Sequence, residues 1–317
     1  GLSADEMLAS LGPSGVRGLL VAGSNIAVAS AHNRRVVEGL HRLDCLAVLD
    51  CFSNDTTRHA DFVLPVTQWA EEDGTTTSLE GRVLRRRRAV TAPAGVRTDL
   101  EVLCALAARL GAGEHFVSAE PEAVFAELAG LSAGGRADYS GITYDRLDAE
   151  GGVFWPCPDL GHPGTPRLFG ERFAHADGRA RFVPVRYRPA AEEPDGEFPT
   201  YFTTGRYAEH YNSGAQTRLV SDLIERQPEP CLSVHPLVAA RIGLRAGDPV
   251  VVESRRGEVT MRALIDPDIR PDTVFAPFHW GGDQAANRLT SPALDPTSRM
   301  PEFKVCAVRL RAAEALR

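Results

Sequence analysis

Two short apolar runs joined through a helical pattern constrain this chain more than any other feature. Residues 17–22 (RGLLVA) lead into Gly23-Ser24-Asn25, and residues 45–49 (CLAVL) end at Asp50. Between them, residues 34–43 (RRVVEGLHRL) place Val36, Val37, Leu40 and Leu43 at helical spacing. A strand that is apolar along its length reads as buried on both faces. Two of these joined through a helix imply a parallel βαβ unit with a right-handed crossover. Residues 60–64 (ADFVL) read as a third strand, stopped by Pro65. Thr98-Asp99 then open a helix over residues 100–110 that Gly111 closes.

The pattern changes twice further on. A helix is expected over residues 121–129, after which Gly and Pro dominate to residue 195 and little periodicity survives. Tyr139, Tyr144, Phe154, Trp155, Phe169 and Phe173 argue against a free linker, so residues 113–195 read as an ordered connector wrapping a larger body. From residue 196 the chain reads as short strands with Gly, Pro and Asp turns. Strands are expected at 199–204, 250–253, 259–265, 274–278 and 304–310, with a short helix at 236–242 capped by Gly243. That pattern suggests a compact barrel. The expected division is thus 1–112 α/β, 113–195 connector and 196–317 β-barrel, an α/β plus β chain. A length of 317 residues fits about two domains.

Charge narrows the partners. With 35 basic and 42 acidic residues the net charge is −7, so bulk attraction to nucleic acid or an anionic membrane is not expected. No apolar run approaches the roughly 18 residues of a membrane-spanning helix. The run Arg85 to Arg88 is the exception, and reads as a solvated or interface strand or as a ligand site. Lys304 is the one lysine in the chain, and every other basic residue is Arg. The six cysteines show no C-x-x-C spacing, so neither the usual zinc nor the usual iron–sulfur ligand pattern occurs and no metal ligand is assigned. Buried thiols in a reducing, cytoplasmic setting fit best. The chain opens at Gly1 without a signal-peptide pattern and is expected to start within a longer polypeptide.

Three stretches carry polar chemistry. Gly23-Ser24-Asn25 and Asp50 follow strand ends, where doubly wound sheets bind nucleotides; they also read as a loop Gly and a strand-end acid with no ligand. No G-x-G-x-x-G occurs, which argues against a plain NAD-type dehydrogenase. Thr204-Gly205-Arg206 to Thr217 gathers hydroxyls, amides, Gly and an Arg, a mix suited to phosphate or to a polar surface loop. His279-Trp280-Gly281-Gly282 sits at a strand end, followed by Asn287 and Lys304. No nucleophile–histidine–acid context and no H-E-x-x-H occur, so no catalytic residue is assigned.

Residues 61–65 (DFVLP), 69–74 (WAEEDG) and 80–82 (EGR) resemble a sequence block of the molybdopterin oxidoreductases, the dimethyl sulfoxide reductase superfamily. Residues 204–217 resemble their TGR block, and 287–304, from Asn287-Arg288-Leu289-Thr290 to Pro301-Glu302-Phe303-Lys304, resemble a third. The blocks stand in order across nearly the whole chain. Phe278-His279-Trp280 and Ser298-Arg299-Met300-Pro301 are most similar to the assimilatory nitrate reductases, with cytoplasmic formate dehydrogenases next.

The resemblance implies a parallel α/β nucleotide-binding domain, a connector and a C-terminal double-psi-like β-barrel. It implies a molybdenum bis(molybdopterin guanine dinucleotide) cofactor, with a [4Fe–4S] cluster expected only outside this chain. Carried over by motif position, the cofactor contacts are Asn25, Leu49, Asp50, Asp99, Thr204, Gly205, Arg206, His210, Ser213, His279, Asn287 and Lys304. Glu72 stands where many relatives have Lys. The implied activity of the whole enzyme is reduction of nitrate, with an electron-donor protein or reductase subunit as partner. The chain alone is expected to be incomplete and inactive. The alternatives are a formate dehydrogenase alpha subunit and a cofactor-free binding fragment.

Overall fold

A computed structural model describes residues 1–313. They pack as two compact units, one made of residues 1–64 together with the stretch from 187 onward, the other of residues 65–186.

The first unit opens with helix Ala4–Ala9, started by a reciprocal Ser3–Glu6 capping box. Strands β1 (Gly18–Ala22) and β2 (Cys45–Asp50) pair in parallel, with Val21 opposite Val48, and β3 (Phe62–Pro65) lies beyond β2 in the sheet. Helix Asn33–Leu40 supplies the crossover. Its Val36 and Leu40, with Leu8 and Leu11, pack on Val21, Leu46 and Val48. Leu20, on the other face of β1, is half-exposed, so β1 is not buried on both faces as its apolar run suggested. β3 departs further, being exposed at every position, with Phe62 at 61%. It is the last strand of a three-stranded sheet, and an apolar run does not tell a central strand from an edge strand.

The second unit carries an antiparallel sheet of β4 (Gly74–Thr77), β5 (Arg82–Arg86) and β6 (Val153–Phe154) in that order. Helices Asp99–Arg109, Pro121–Ser132 and Tyr144–Glu150 belong to it. Val83, Phe125, Ile142, Leu147, Val153 and Cys157 form its core. Residues 125–157 are therefore not a wrap over another body, because they share this core with Val83 of β5. The Arg run is spent inside the unit. Arg85 stacks 3.7 Å from the Tyr144 ring centre, Arg86 pairs with Glu72 at 2.9 Å, and Arg87 pairs with Asp148 at 2.8 Å.

Back in the first unit, β7 (Thr200–Gly205), β8 (Cys231–Val234), β9 (Pro249–Ser254), β10 (Gly257–Ile265), β11 (Thr273–Pro277) and β12 (Cys306–Ala312) close a barrel in the order β10-β8-β11-β7-β12-β9. β7 pairs with β11 and β8 with β10 in parallel, while the other neighbours run antiparallel. Strand alternation fills the interior: Val259, Met261 and Ala263 point in, between Glu258, Thr260, Arg262 and Leu264 pointing out. Phe202, Leu232, Val252, Val274 and Val308 complete this core, each burial contributing about 1.5–3 kcal/mol. Helix Pro236–Ile242 ends at Gly243, whose φ of 69° is left-handed, as the cap requires. Outside the barrel, Glu192 grips Arg256 at 2.6 and 2.8 Å and accepts the Ala307 N–H at 2.7 Å.

Two outcomes follow for stability. Leu232→Ala is expected to cost about 2–5 kcal/mol, while Leu264→Ala, on the outer face, stays within about 0.5 kcal/mol; denaturant melts of the two variants check this. Burial alone would raise the Glu192 carboxyl, but the Arg256 hydrogen bonds and the Ala307 N–H outweigh it and hold it below its usual value of 4.5. A depressed carboxylate stabilises the fold above that value and loses its contribution as pH falls below it. Melting midpoints of the native chain should therefore drop more steeply below pH 4.5 than those of Glu192→Gln.

Candidate functional site

The C-terminal ends of β1 and β2 meet the loops that follow β7 and β11 in the first unit. A cleft of about 400 Å³ opens there, with Gly23, Ser24, Asn25 and Ala29 on one side. Thr204, Arg206, Asn212, Ser213, Phe278, Asn287, Phe303 and Lys304 line the other. A smaller cleft of about 150 Å³ shares Gly23, Asn25, Asn212 and Ser213 and adds Asp50, Asn54, Tyr211 and Gln216. Asn25 and Asp50 thus sit at one edge of the sheet.

Several expected contact residues build this cleft rather than reach into it. The Asn25 amide donates to Asp55 at 3.1 Å and accepts from the Thr56 N–H and hydroxyl at 3.1 and 3.0 Å. The Asn287 amide donates to the Val28 carbonyl at 2.8 Å, joining a barrel loop to the loop after β1. Asp55 also accepts from Arg218 at 3.1 Å, a second tie of the same kind. Leu49 is wholly buried and contributes its carbonyl, which accepts the Gly23 N–H at 2.8 Å. His210 and His279 are likewise buried. The His210 nitrogens lie 3.2 Å from the Thr217 hydroxyl and 2.8 Å from the Gln227 carbonyl. A Cβ on Gly205 would lie 2.6 Å from the Phe275 ring, so only Gly fits under that aromatic side chain. Asp50 accepts from the Phe52 N–H and the Asn54 amide at 3.2 and 2.7 Å.

Charge sets the chemistry. Arg206 and Lys304 lie over the same Phe278 ring, at 5.0 and 5.6 Å from its centre. Among the described residues neither cation has a carboxylate partner. The Lys304 ammonium donates to the Thr204 carbonyl at 2.6 Å, and the Thr204 hydroxyl donates to the Phe303 carbonyl at 2.9 Å. Burial, then the nearby Arg206, push Lys304 below the usual lysine value. Two like charges held together with no counter-charge favour an anion between them. Gly23 faces the same space: its φ of 57° is left-handed, and a Cβ there would meet nothing within 4 Å. Backbone can approach a ligand closely at such a position.

Asp99 belongs to the second unit, so it is no part of the β1-β2-β3 edge. It is the first residue of helix Asp99–Arg109, behind the Thr98–Glu101 capping box, and lines that unit's own cleft of about 380 Å³ with Glu72, Arg86 and Tyr144. Glu72 does not stand as a lone negative charge there, since Arg86 neutralises it and the Thr67 hydroxyl donates to it at 2.8 Å. Ser24, Asn212, Phe278 and Phe303 lie within the stretches the sequence singled out but were not among the expected contact residues. Asn212 had a usable signal, an Asn just before Ser213-Gly214, where a left-handed residue is common; its φ is 46°. Among the described residues no group of three or more His, Cys, Asp or Glu is placed to hold a metal ion.

An α/β strand edge thus faces a closed mixed barrel across a cleft that carries Arg206 and Lys304. The Molybdopterin oxidoreductase family matches residues 1–109, and the Molydopterin dinucleotide binding domain matches residues 200–307. The chain belongs to the molybdopterin oxidoreductases. It is 42% identical to the assimilatory nitrate reductase catalytic subunit of Bacillus subtilis over 98% of its length, which is 44% of that protein. It is 39% identical to the F420-dependent formate dehydrogenase subunit alpha of Methanocaldococcus jannaschii, over 98% of this chain and 45% of that one. The acetylene hydratase of Pelobacter acetylenicus has the same fold, with a TM-score of 0.69 at 17% identity over 98% of this chain and 46% of that chain. The chain spans less than half the length of these proteins.

The family's cofactor is molybdenum bis(molybdopterin guanine dinucleotide), and the residues present fit it. Unpaired Arg206 and Lys304 suit a pyrophosphate, Gly23 leaves room for close approach, and Ser24, Ser213 and Asp50 supply hydrogen-bonding groups for the polar rings. If Lys304 holds that anion, Lys304→Ala in the cofactor-loaded protein lowers molybdenum per protein severalfold. The melting midpoint of the emptied barrel then moves by no more than a surface change does, about 0.5 kcal/mol. Metal analysis and a thermal melt on one preparation read both.

Proposed function

We propose that this chain is the cofactor-holding part of an enzyme that reduces nitrate to nitrite for nitrogen assimilation. The observation that carries the reading is the Arg206–Lys304 pair over Phe278, two uncompensated cations where strand-end loops of both sheets converge. The choice of nitrate rests on the assimilatory nitrate reductases among its relatives. When bound, the cofactor supplies two-electron oxygen-atom transfer, and the balance is NO₃⁻ + 2H⁺ + 2e⁻ → NO₂⁻ + H₂O.

This chain's own residues bind and orient. Arg206 and Lys304 hold the pyrophosphate. Asn287, Asp55 and Arg218 fix the strand-end loop against the barrel, so the cleft keeps its width. Asp50 and Asp99 face clefts as acceptors for guanine or pterin N–H groups. The electrons come from a donor protein or reductase subunit, and the setting is the cytoplasm, with which the buried Cys157 and Cys306 thiols agree.

A second reading, oxidation of formate, is favoured by the nearly equal identity to the formate dehydrogenase subunit. The full-length enzyme containing this chain, purified with its cofactor and supplied with a reduced viologen, is expected to convert nitrate to nitrite. Formate oxidation with an oxidised viologen as acceptor, and no nitrite formation, would assign the second reading. A preparation carrying no pterin would overturn both and leave a cofactor-free fragment.

A further inference from the structure

His279 is a wholly buried histidine beside the cleft, and both its ring nitrogens engage one loop. The Tyr207 N–H donates to Nε2 at 2.8 Å, and Nδ1 lies 2.5 Å from the Asn212 carbonyl oxygen. A backbone N–H only donates, so Nε2 must offer its lone pair. Nδ1 therefore carries the proton and donates to Asn212. One neutral tautomer thus staples the two ends of residues 207–212 together.

The stapled loop is the one that aims the cleft's cation. Asn212 adopts a left-handed backbone, φ 46°, with its carbonyl on His279. Its side-chain oxygen accepts from Arg206 Nε and Nη2 at 3.3 and 3.1 Å. Gly214 closes the loop so tightly that a Cβ there would come within 2.8 Å of the His279 carbonyl. We propose that His279 is a positioning residue of the anion cleft, its neutral Nδ1-protonated ring clasping residues 207–212 so that Arg206 and Ser213 face the ligand. The inference rests on the reading of that cleft as the site of a dinucleotide pyrophosphate.

The surroundings favour the neutral ring. Burial, the largest influence, lowers His279 below the ordinary 6.5; the Asn212 carbonyl opposes it, and His210, Arg206 and Arg218 lower it further. The His210 ring is centred 5.5 Å away and the Tyr207 ring 6.3 Å away, while Arg218 is itself paired with Asp55. A second proton on Nε2 would face the Tyr207 N–H, donor against donor. The clasp is therefore complete above the ordinary histidine value and is lost as pH falls below it.

GDP-mannose is a suitable probe, because its pyrophosphate diester keeps a constant charge between about pH 5 and 8, far above the range in which such diesters protonate. Calorimetric affinity of the native chain is expected to fall about threefold to tenfold from pH 7.5 to pH 5.5, as the competent loop population shrinks. His279→Gln should bind more weakly at pH 7.5 and show a flat pH profile, while Leu264→Ala, on the outer face of the barrel, keeps the native profile. Nitrogen-15 spectra of the native ring should show the proton on Nδ1 at pH 7.5, a readout that does not depend on any variant folding. A native-like profile in His279→Gln, or a proton on Nε2, overturns the proposal while the cleft reading stands. A native chain that binds no GDP-mannose, or affinity untouched by Arg206→Ala and Lys304→Ala, overturns the cleft reading and the role of His279 with it.

Discussion

Polar ties between the segments that follow β1 and β2 and the loops of the barrel set the width of the cleft. Asp55 accepts from Asn25, 30 positions away, and from Arg218, 163 positions away, and Asn287 reaches the Val28 carbonyl across 259 positions of chain. Each joins groups that pay a desolvation penalty if left unmatched, so the arrangement is nearly all or none. Gly281 belongs to the same contact: a Cβ there would fall 2.4 Å from the Asp55 carboxylate. With these ties in place, the backbone at Gly23 and the cations at Arg206 and Lys304 face one space. Without them the two sets of loops have no fixed separation, and no anion meets both.

The division of labour among polar residues follows. Side chains satisfied by protein partners, such as Asn25, Asn287, His210 and His279, hold the walls. Arg206 and Lys304, without a counter-charge among the described residues, are the cations open to an anion. Chemical type alone does not separate the two groups, because an Asn that ties two loops and an Asn that reads a ring are the same residue in a sequence.

That is why the fold was more legible than the site. The βαβ unit was readable because Val36, Leu40, Val48 and their neighbours repeat at helix and strand periods. The barrel strands were readable because Val259, Met261 and Ala263 alternate. β6 has two residues, too few for any period, and its partner β5 is written mostly in Arg. Residues 65–112 of the second unit therefore read as part of the α/β domain, and those from 113 as a connector. β3 misled in the opposite sense, since Phe62, Val63 and Leu64 look like a core strand and lie exposed. In the site, Lys304 stood out by its rarity among the arginines, whereas Phe278, the ring beneath both cations, stood out only as part of a family motif and carried no sign of its place in the cleft.

The interleaving of the two units has a consequence for how the chain comes into being on the ribosome. Residues 65–186 are continuous and hold a core of their own, so they can fold as soon as they emerge. Residues 1–64 also hold a core of their own, but their loop partners Arg218 and Asn287 are made much later. At about 5–20 residues per second that wait is on the order of ten seconds, during which Asp55 has Asn25 but not Arg218, and the Val28 carbonyl lacks its Asn287 partner. Barrel closure comes last of all, because β12 is the strand that pairs with both β7 and β9. The cleft is thus incomplete until β12 has been made, and no ligand can be held by all of its walls before then.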